Sequence, residues 1–137
     1  MRNAQIITIQ QDVVVTNNDI DDIMCGALEG GITYWASEAE VVGEYLGEYA
    51  SEQISRGGTL KIYLDEPFDK DDTEVYELTK ENFMKGLRMY LQDPQKPYDI
   101  LDFDRKTGKT ILDTGEADAV VCDMIIQYAL FNEVVFG

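Results

Sequence analysis

The amino-acid sequence predicts an α+β fold in which about four helices pack on a mostly antiparallel sheet, within a single compact domain over residues 1–137. Three observations predict it. The apolar fraction of 45% in 137 residues is enough to build one hydrophobic core. Segments with apolar residues at helical spacing alternate with short β-branched segments of period two. The connections between the short segments are brief and polar, as in hairpins, and no linker divides the chain.

The first predicted elements are a strand and a helix. Residues 5–15 (QIITIQQDVVV) are β-branched and partly alternating, which predicts one strand or a small hairpin. Thr16 then caps a helix that stops at the glycine pair 30–31, and residues 32–35 follow as a strand or a buried linker. Three acidic residues crowd the first turn of this helix, where its dipole favours anions: Asp19, Asp21 and Asp22.

The segment SEAEVVGEYLGEYASEQISRGG predicts a second helix over residues 37–56. Ser37 begins an S-x-x-E capping box, and the glycine pair 57–58 ends the helix. The apolar side chains fall on one helical arc, which we expect to face the core. Four glutamates recur once per turn on the opposite arc and predict an exposed acidic ridge: Glu40, Glu44, Glu48 and Glu52.

A hairpin and a third helix follow. Residues 59–64 and 74–78 alternate between apolar and polar side chains, and a polar turn separates them, which predicts a β-hairpin. Thr79 caps the third helix, whose apolar residues recur at helical spacing. That helix ends before Pro94, since proline cannot continue it.

The last part of the chain predicts a second hairpin and a fourth helix. Residues 98–103 and 110–112 flank RKTGK and predict a short hairpin that turns at Gly108. The acidic residues of the 113–116 segment repeat the capping-box pattern and begin the last helix. Residues 132–137 (NEVVFG) predict a terminal strand.

The charge of the chain bounds its partners. The net charge is −16, and residues 3–55 carry ten acidic residues and no cation. Such a field repels nucleic acid and anionic membranes and attracts basic surfaces, although it is also what keeps many proteins soluble. We therefore expect a basic protein surface as partner, with no direct nucleic-acid or membrane binding. The oligomeric state stays open, and a homo-oligomer is compatible with the sequence.

Several sequence features that mark membrane, secreted or catalytic proteins are absent. No segment has the length and apolarity of a membrane span and no signal-peptide pattern is present, so we expect a cytoplasmic protein. Cys25 and Cys122 each lie in an apolar helical pattern, so we expect them to be reduced and buried, although a disulfide stays open. The chain has no histidine and no phosphate-loop, dinucleotide or serine-hydrolase motif, which predicts that it is not an enzyme.

Two acidic loops invite a calcium interpretation. Residues 102–113 place a lysine at the fifth position and glycine at the seventh, and residues 65–74 also lack the EF-hand spacing. We therefore expect turns rather than metal sites, although weak divalent binding at residues 65–74 stays open. No metal and no cofactor are predicted.

The acidic ridge has two interpretations. It would present one carboxylate per roughly 5.4 Å of helix, whereas DNA presents a phosphate about every 3.4 Å along each strand. The ridge is thus a partial imitation of a nucleic-acid backbone, and the three aspartates of the first helix would extend it if they lie nearby. It is equally what an ordinary solvated helix face looks like.

A second candidate site would take a small molecule. Arg56 could bind a phosphate beside the glycine pair, and aromatic residues after the other glycine pair could stack a base. The alternative is that these glycines only end a helix and that the tryptophan belongs to the core. The residues of this candidate nucleotide site are Tyr34, Trp35, Arg56, Gly57, Gly58 and Lys61.

Three segments carry a resemblance: DIDDIMCGALEGGITYW, GEYLGEYASEQISRGGTLKIY and the closing IIQYALF with EVVFG. With them the chain resembles small acidic uncharacterised proteins of Firmicutes phages and mobile elements. That resemblance implies a setting in which proteins are often counter-defence factors, and it implies no mechanism or functional residue.

The sequence thus leads to three hypotheses. The first is a non-enzymatic counter-defence inhibitor, which would present its acidic surface to the basic nucleic-acid groove of a host defence protein such as a CRISPR nuclease. The second is a small-molecule binder, for instance a sponge for a nucleotide immune signal. The third is a general protein-interaction module.

Overall fold

The computed structural model describes residues 3–65 and 74–137. In these residues the chain forms three α-helices and two three-stranded sheets, so the predicted α+β class is confirmed and the count of about four helices is wrong. The helices are α1 (Asn17–Gly26), α2 (Lys80–Gln92) and α3 (Ala119–Phe131). The strands are β1 (Val13–Val14), β2 (Ala36–Val41), β3 (Leu60–Leu64), β4 (Val75–Leu78), β5 (Leu101–Asp104) and β6 (Lys109–Leu112).

Helix α1 begins as its sequence predicts. The hydroxyl of Thr16 accepts a hydrogen bond from the Asp19 amide, and the Asp19 carboxylate accepts one from the Thr16 amide, which completes a capping box. The helix continues past Gly26 as a π-helical turn (Ala27–Gly31). Gly31 lets this turn approach α3 closely, because a Cβ there would lie 2.9 Å from the Ala119 carbonyl oxygen.

Strands β2, β3 and β4 form an antiparallel sheet in chain order. The predicted hairpin of residues 59–64 and 74–78 is confirmed, with Leu60 opposite Leu78 in the β3–β4 register. Side chains of β3 alternate between buried and half-buried, which places its apolar residues on the core. Most of the polar turn of this hairpin lies outside the described residues.

The helix predicted over residues 37–56 is wrong. Residues 36–41 are strand β2, with Glu40 opposite Lys61 on β3, and a loop with several bends follows over residues 42–49. A single 3₁₀ turn (Ala50–Glu52) comes next. The chain cannot continue as a helix through Gly43, whose φ of +75° is a left-handed conformation that favours glycine. Pairing with β3 outweighs the helical spacing of the apolar residues in this segment.

The second sheet has the order β1–β6–β5. Strands β5 and β6 form the predicted hairpin, and Gly108 adopts φ +71° in its turn. Strand β1 runs parallel to β6 but contains only two residues, so the strand expected over residues 5–15 is mostly absent.

Helix α3 begins later than predicted and ends in a left-handed cap. The 113–116 segment forms a separate 3₁₀ turn, and the carboxylate of Asp118 caps α3 by accepting from the Val121 amide. Asn132 closes the helix with φ 62°. The terminal strand predicted over residues 132–137 is absent, and this segment instead packs along α3, with Phe136 stacked on Trp35.

Helices α2 and α3 pack so closely that their backbones nearly touch. A Cβ on Gly86 of α2 would lie 2.5 Å from the Ile125 carbonyl oxygen and 2.6 Å from the Ala129 amide nitrogen. The side chains around this contact, such as Phe83, Leu87 and Ile126, are fully or almost fully buried. The α2–α3 pair is therefore the centre of the core.

Gly86→Ala should lower the free energy of unfolding by about 1–3 kcal/mol, because the two helix backbones must separate to admit a methyl group. Gly30→Ala is the matched control, since a Cβ at Gly30 meets nothing within 4 Å. Alanine there should leave stability unchanged or raise it slightly. Urea unfolding followed by far-UV circular dichroism measures both, and equal midpoints for the two variants would contradict the close contact.

Candidate functional site

Residues 42–49, here called the acidic loop, display an unusual mixture of side chains. Tyr45, Leu46 and Tyr49 are 59%, 47% and 63% exposed. Glu44 and Glu48 lie between them, and both are exposed. Neither carboxylate makes a hydrogen bond or ion pair to another residue of the described ranges. Aromatic and anionic groups therefore share one small surface that is available to a partner.

The buried side chain of Gln53 holds the shape of the loop. Its Oε1 accepts from the Leu46 amide at 3.0 Å, and its Nε2 donates to the Glu44 carbonyl oxygen at 3.1 Å. Gln53 is only 1% exposed, so these bonds replace the water contacts that its side-chain amide lost on burial. Gly58 leaves room for this side chain, because a Cβ there would lie 2.5 Å from Nε2.

Glu52 fixes the other side of the loop. Its Oε1 accepts from the Glu48 amide at 2.9 Å and from the Tyr49 amide at 3.0 Å, and its Oε2 lies 3.5 Å from the Arg56 guanidinium. These backbone hydrogen bonds, with a smaller contribution from Arg56, lower the pKa of Glu52 below its usual value. Glycine is required at position 47, where a Cβ would lie 2.8 Å from the Glu52 Cβ.

The four glutamates predicted as a ridge are thus divided by the structure. Glu40 lies on β2, and its carboxylate accepts a hydrogen bond from the Tyr63 hydroxyl at 3.3 Å. Glu44 and Glu48 lie in the acidic loop, while Glu52 turns back to bind the loop's own backbone. A helical column of four carboxylates does not exist, because the segment that carries them is not a helix.

The three aspartates of α1 are engaged within the chain. Asp19 belongs to the capping box of α1. Asp21 accepts a hydrogen bond from the Ser55 hydroxyl at 2.6 Å, and Asp22 accepts one from Thr114 at 2.8 Å. Since Ser55 lies two residues after Gln53, which holds the acidic loop, its bond to Asp21 attaches the base of the loop to α1.

The aromatic residues of the candidate nucleotide site bind a buried carboxylate instead. The Trp35 indole donates to Oδ1 of Asp123 at 2.7 Å, and the Tyr34 hydroxyl donates to Oδ2 at 2.6 Å. Trp35 is 3% exposed, and one ring face stacks on Phe136 at 5.2 Å between centroids. Burial and the bond to Asp123 raise the pKa of Tyr34 to about 12. Trp35 therefore belongs to the core.

Gln127 extends this buried network to the last residues of the chain. Its Nε2 donates to Asp123 at 2.9 Å, and its Oε1 accepts from the amides of Val135 and Phe136, both at 2.7 Å. Sequence reasoning missed this pair. Its signal is an aspartate and a glutamine four residues apart within the otherwise apolar run AVVCDMIIQYALF.

The glycine pair of the candidate nucleotide site closes a turn. The Gly57 amide donates to the Ile54 carbonyl at 3.0 Å and the Gly58 amide to the Gln53 carbonyl at 2.8 Å, with Gly57 at φ +87°. This pattern is a Schellman cap, so both amides already have partners. Lys61 lies on β3, where its neighbours across the sheet are Glu40 and Glu77.

Two of the six residues of the candidate nucleotide site, Tyr34 and Trp35, line a cavity that the other four do not reach. This cavity of about 470 Å³ beside the stacked rings is lined by Tyr34, Trp35, Asp65, Phe136 and Gly137. Arg56, Gly57, Gly58 and Lys61 are not among the residues that line it.

Three further observations concern chemistry and location. Within residues 3–65 and 74–137, no three acidic or cysteine side chains are grouped in a way that could hold a metal ion. Both cysteines are free; Cys122 is buried as expected, but Cys25 is only partly buried. Burial raises the pKa of the Cys122 thiol to about 12. No helix in the described part of the chain is both long enough and apolar enough to cross a membrane.

Comparison of the chain with protein-family models, with curated proteins and with solved structures gives no match in any of the three.

Lowering the pH should loosen the acidic loop. Because the pKa of Glu52 is lowered in the folded chain, its stabilisation is complete above the usual value of 4.5 and is lost as the pH falls through the lowered value. In an NMR titration, the Glu48 and Tyr49 amide resonances should shift with a midpoint below 4.5. Glu52→Gln keeps an acceptor but cannot titrate, so this shift should disappear. A midpoint above 4.5 would contradict the assignment.

Proposed function

We propose that the chain is a non-enzymatic inhibitor whose acidic loop binds a basic, nucleic-acid-binding surface of a partner protein and blocks it. One observation carries the proposal. Two glutamates, whose carboxylates bind no other residue within 3–65 and 74–137, lie beside three exposed apolar or aromatic side chains on a loop that Gln53 and Glu52 hold in place.

The composition of the loop suits protein recognition. Tyrosine supplies a large contact area with few rotatable bonds, and aromatic side chains dominate the binding energy of many interfaces. Glutamates around such anchors favour a positively charged surface and accelerate association with it. Nucleic acid and anionic membranes are disfavoured as partners by the net charge of −16.

The rigidity of the loop also supports binding. A loop that is already ordered loses less conformational entropy when it meets a partner than a flexible one does. Here the two side chains that order the loop lie behind it, which leaves Tyr45 and Tyr49 exposed. The loop thus has a hydrogen-bonded backbone and exposed tyrosine side chains that can contact a partner.

The biological setting of the proposal comes from the resemblance to small acidic proteins of phages and mobile elements. A host defence protein such as a CRISPR nuclease has the required basic groove, and binding it would place the inhibitor in the cytoplasm. The nucleotide-sponge hypothesis has less support, because Trp35 is buried and the phosphate-binding candidates are not among the residues that line the cavity beside it.

Reversing the two loop charges should abolish partner binding. The test compares Glu44→Lys/Glu48→Lys with Glu116→Lys/Glu133→Lys, which changes the net charge equally at exposed positions elsewhere. Each immobilised protein is incubated with bacterial host lysate, and captured proteins are quantified by mass spectrometry at increasing salt. A nucleic-acid-binding protein should be captured by the original and control chains, lost with the loop variant and released by salt.

A second variant separates the aromatic anchors from charge. Tyr45→Ala/Tyr49→Ala keeps the net charge and should weaken capture by about tenfold or more, the effect of losing two contact residues. The captured protein should also lose its nucleic-acid binding in a gel-shift assay when the original chain is added. Equal capture by the loop and control variants would refute the proposal.

A further inference from the structure

Residues 3–12, here called the arm, precede β1 and lie entirely on the surface. Every residue of the arm is exposed, and Ile6, Ile7 and Ile9 are 89%, 85% and 75% exposed. Residues 3–11 contain no charge and no proline or glycine, and their isoleucines favour a strand. Such a segment is a ready template for pairing with another strand.

The register of β1 explains why the arm has no strand partner in its own sheet. Strand β1 runs parallel to β6, with Val13 opposite Thr110 and Val14 opposite Ile111. Since β6 begins at Lys109, directly after the hairpin turn, the arm runs past the end of β6. The side chain of Gln11 still reaches the hydroxyl of Thr110, but earlier residues extend beyond the sheet.

Among residues 3–65 and 74–137, no strand pairs with the other side of β1 either. The sheet order β1–β6–β5 leaves β1 at an edge, and the arm leads directly into this edge strand. This edge is self-complementary, because the same segment of a second chain can pair with it in antiparallel orientation about a two-fold axis.

We propose that the arms of two copies pair in this way and join the two β1–β6–β5 sheets into one six-stranded sheet. Charge favours a second copy at this edge. The arm is neutral over residues 3–11 and ends in one acid, Asp12. The β5–β6 hairpin beside β1 carries Arg105 and Lys106 in its turn and Lys109 at the start of β6. Two chains of net charge −16 repel each other, so they associate best where their surfaces are least acidic.

A cavity beside the arm has apolar side chains that the isoleucines of the second copy can contact. The arm and α2 line this cavity of about 750 Å³, with Ile9, Met84, Leu87 and Leu91 among its walls. Arg88 and Asp12 also line it, so the walls carry one cation beside one anion, whereas the acidic loop carries two glutamates and no cation.

Sedimentation velocity of the full chain tests the pairing. Over about a hundredfold range of concentration, a species of twice the 15.5 kDa chain mass should replace the monomer. Ile7→Lys and Ile9→Pro should each raise the dimer dissociation constant about tenfold or more, the first by burying a charge and the second by removing a backbone donor. Val120→Lys, at an exposed apolar residue of α3, is the control and should leave the constant unchanged.

Salt gives an independent readout. Higher ionic strength should tighten the dimer, because it screens repulsion between two acidic chains, whereas it should weaken binding of the acidic loop to a basic partner. A monomer at every concentration would overturn the proposal. So would a dimer that the arm variants leave intact, or open-ended aggregation in place of a closed pair. The arm variants leave the acidic loop unaltered, so failure of the dimer would not count against the function proposed for the loop.

Discussion

Asp123 lies in the middle of α3, 7% exposed, and accepts hydrogen bonds from Tyr34, Trp35 and Gln127. These three donors offset the cost of burying a carboxylate that has no cation beside it. The single ion pair of the described residues joins Arg56 to Glu52 and does not involve Asp123. Fixing Trp35 fixes the start of β2, because its carbonyl accepts from the Asp65 amide and so continues the β2–β3 pairing. The position of the first sheet against α3, and hence the direction in which the acidic loop points, depends on this carboxylate.

The elements that could be predicted are those whose signals are local. Thr16 and Thr79 cap helices through bonds to residues three positions later, and Gly108 permits the tight turn of its hairpin. The helix predicted over residues 37–56 was wrong because helical spacing and strand alternation compete in this segment. Long-range pairing of β2 with β3 decides in favour of the strand. Two glycines in the segment argue against a helix, since Gly43 and Gly47 would each destabilise it by about 1 kcal/mol relative to alanine.

The candidate site could be predicted only in part, for a related reason. Glu44 and Glu48 are exposed as expected, but the roles of Glu52 and Gln53 depend on how the loop folds back over them. A buried glutamine that binds backbone groups seven and nine positions earlier has no recognisable spacing. The same holds for Asp21, whose partner Ser55 is distant in sequence.

These contacts reduce the number of carboxylates that are available to a partner. Several carboxylates that looked available for a partner accept hydrogen bonds within the fold, as Asp21, Asp22 and Glu52 do. Imitation of a nucleic-acid backbone needs carboxylates repeated along an extended surface, and the acidic loop offers only two, set among tyrosines and a leucine. Such a surface resembles the centre of a protein interface, where aromatic anchors enter pockets and charges select the partner. Inhibition by this loop would therefore depend on a shaped pocket within the basic surface, and not on positive charge alone.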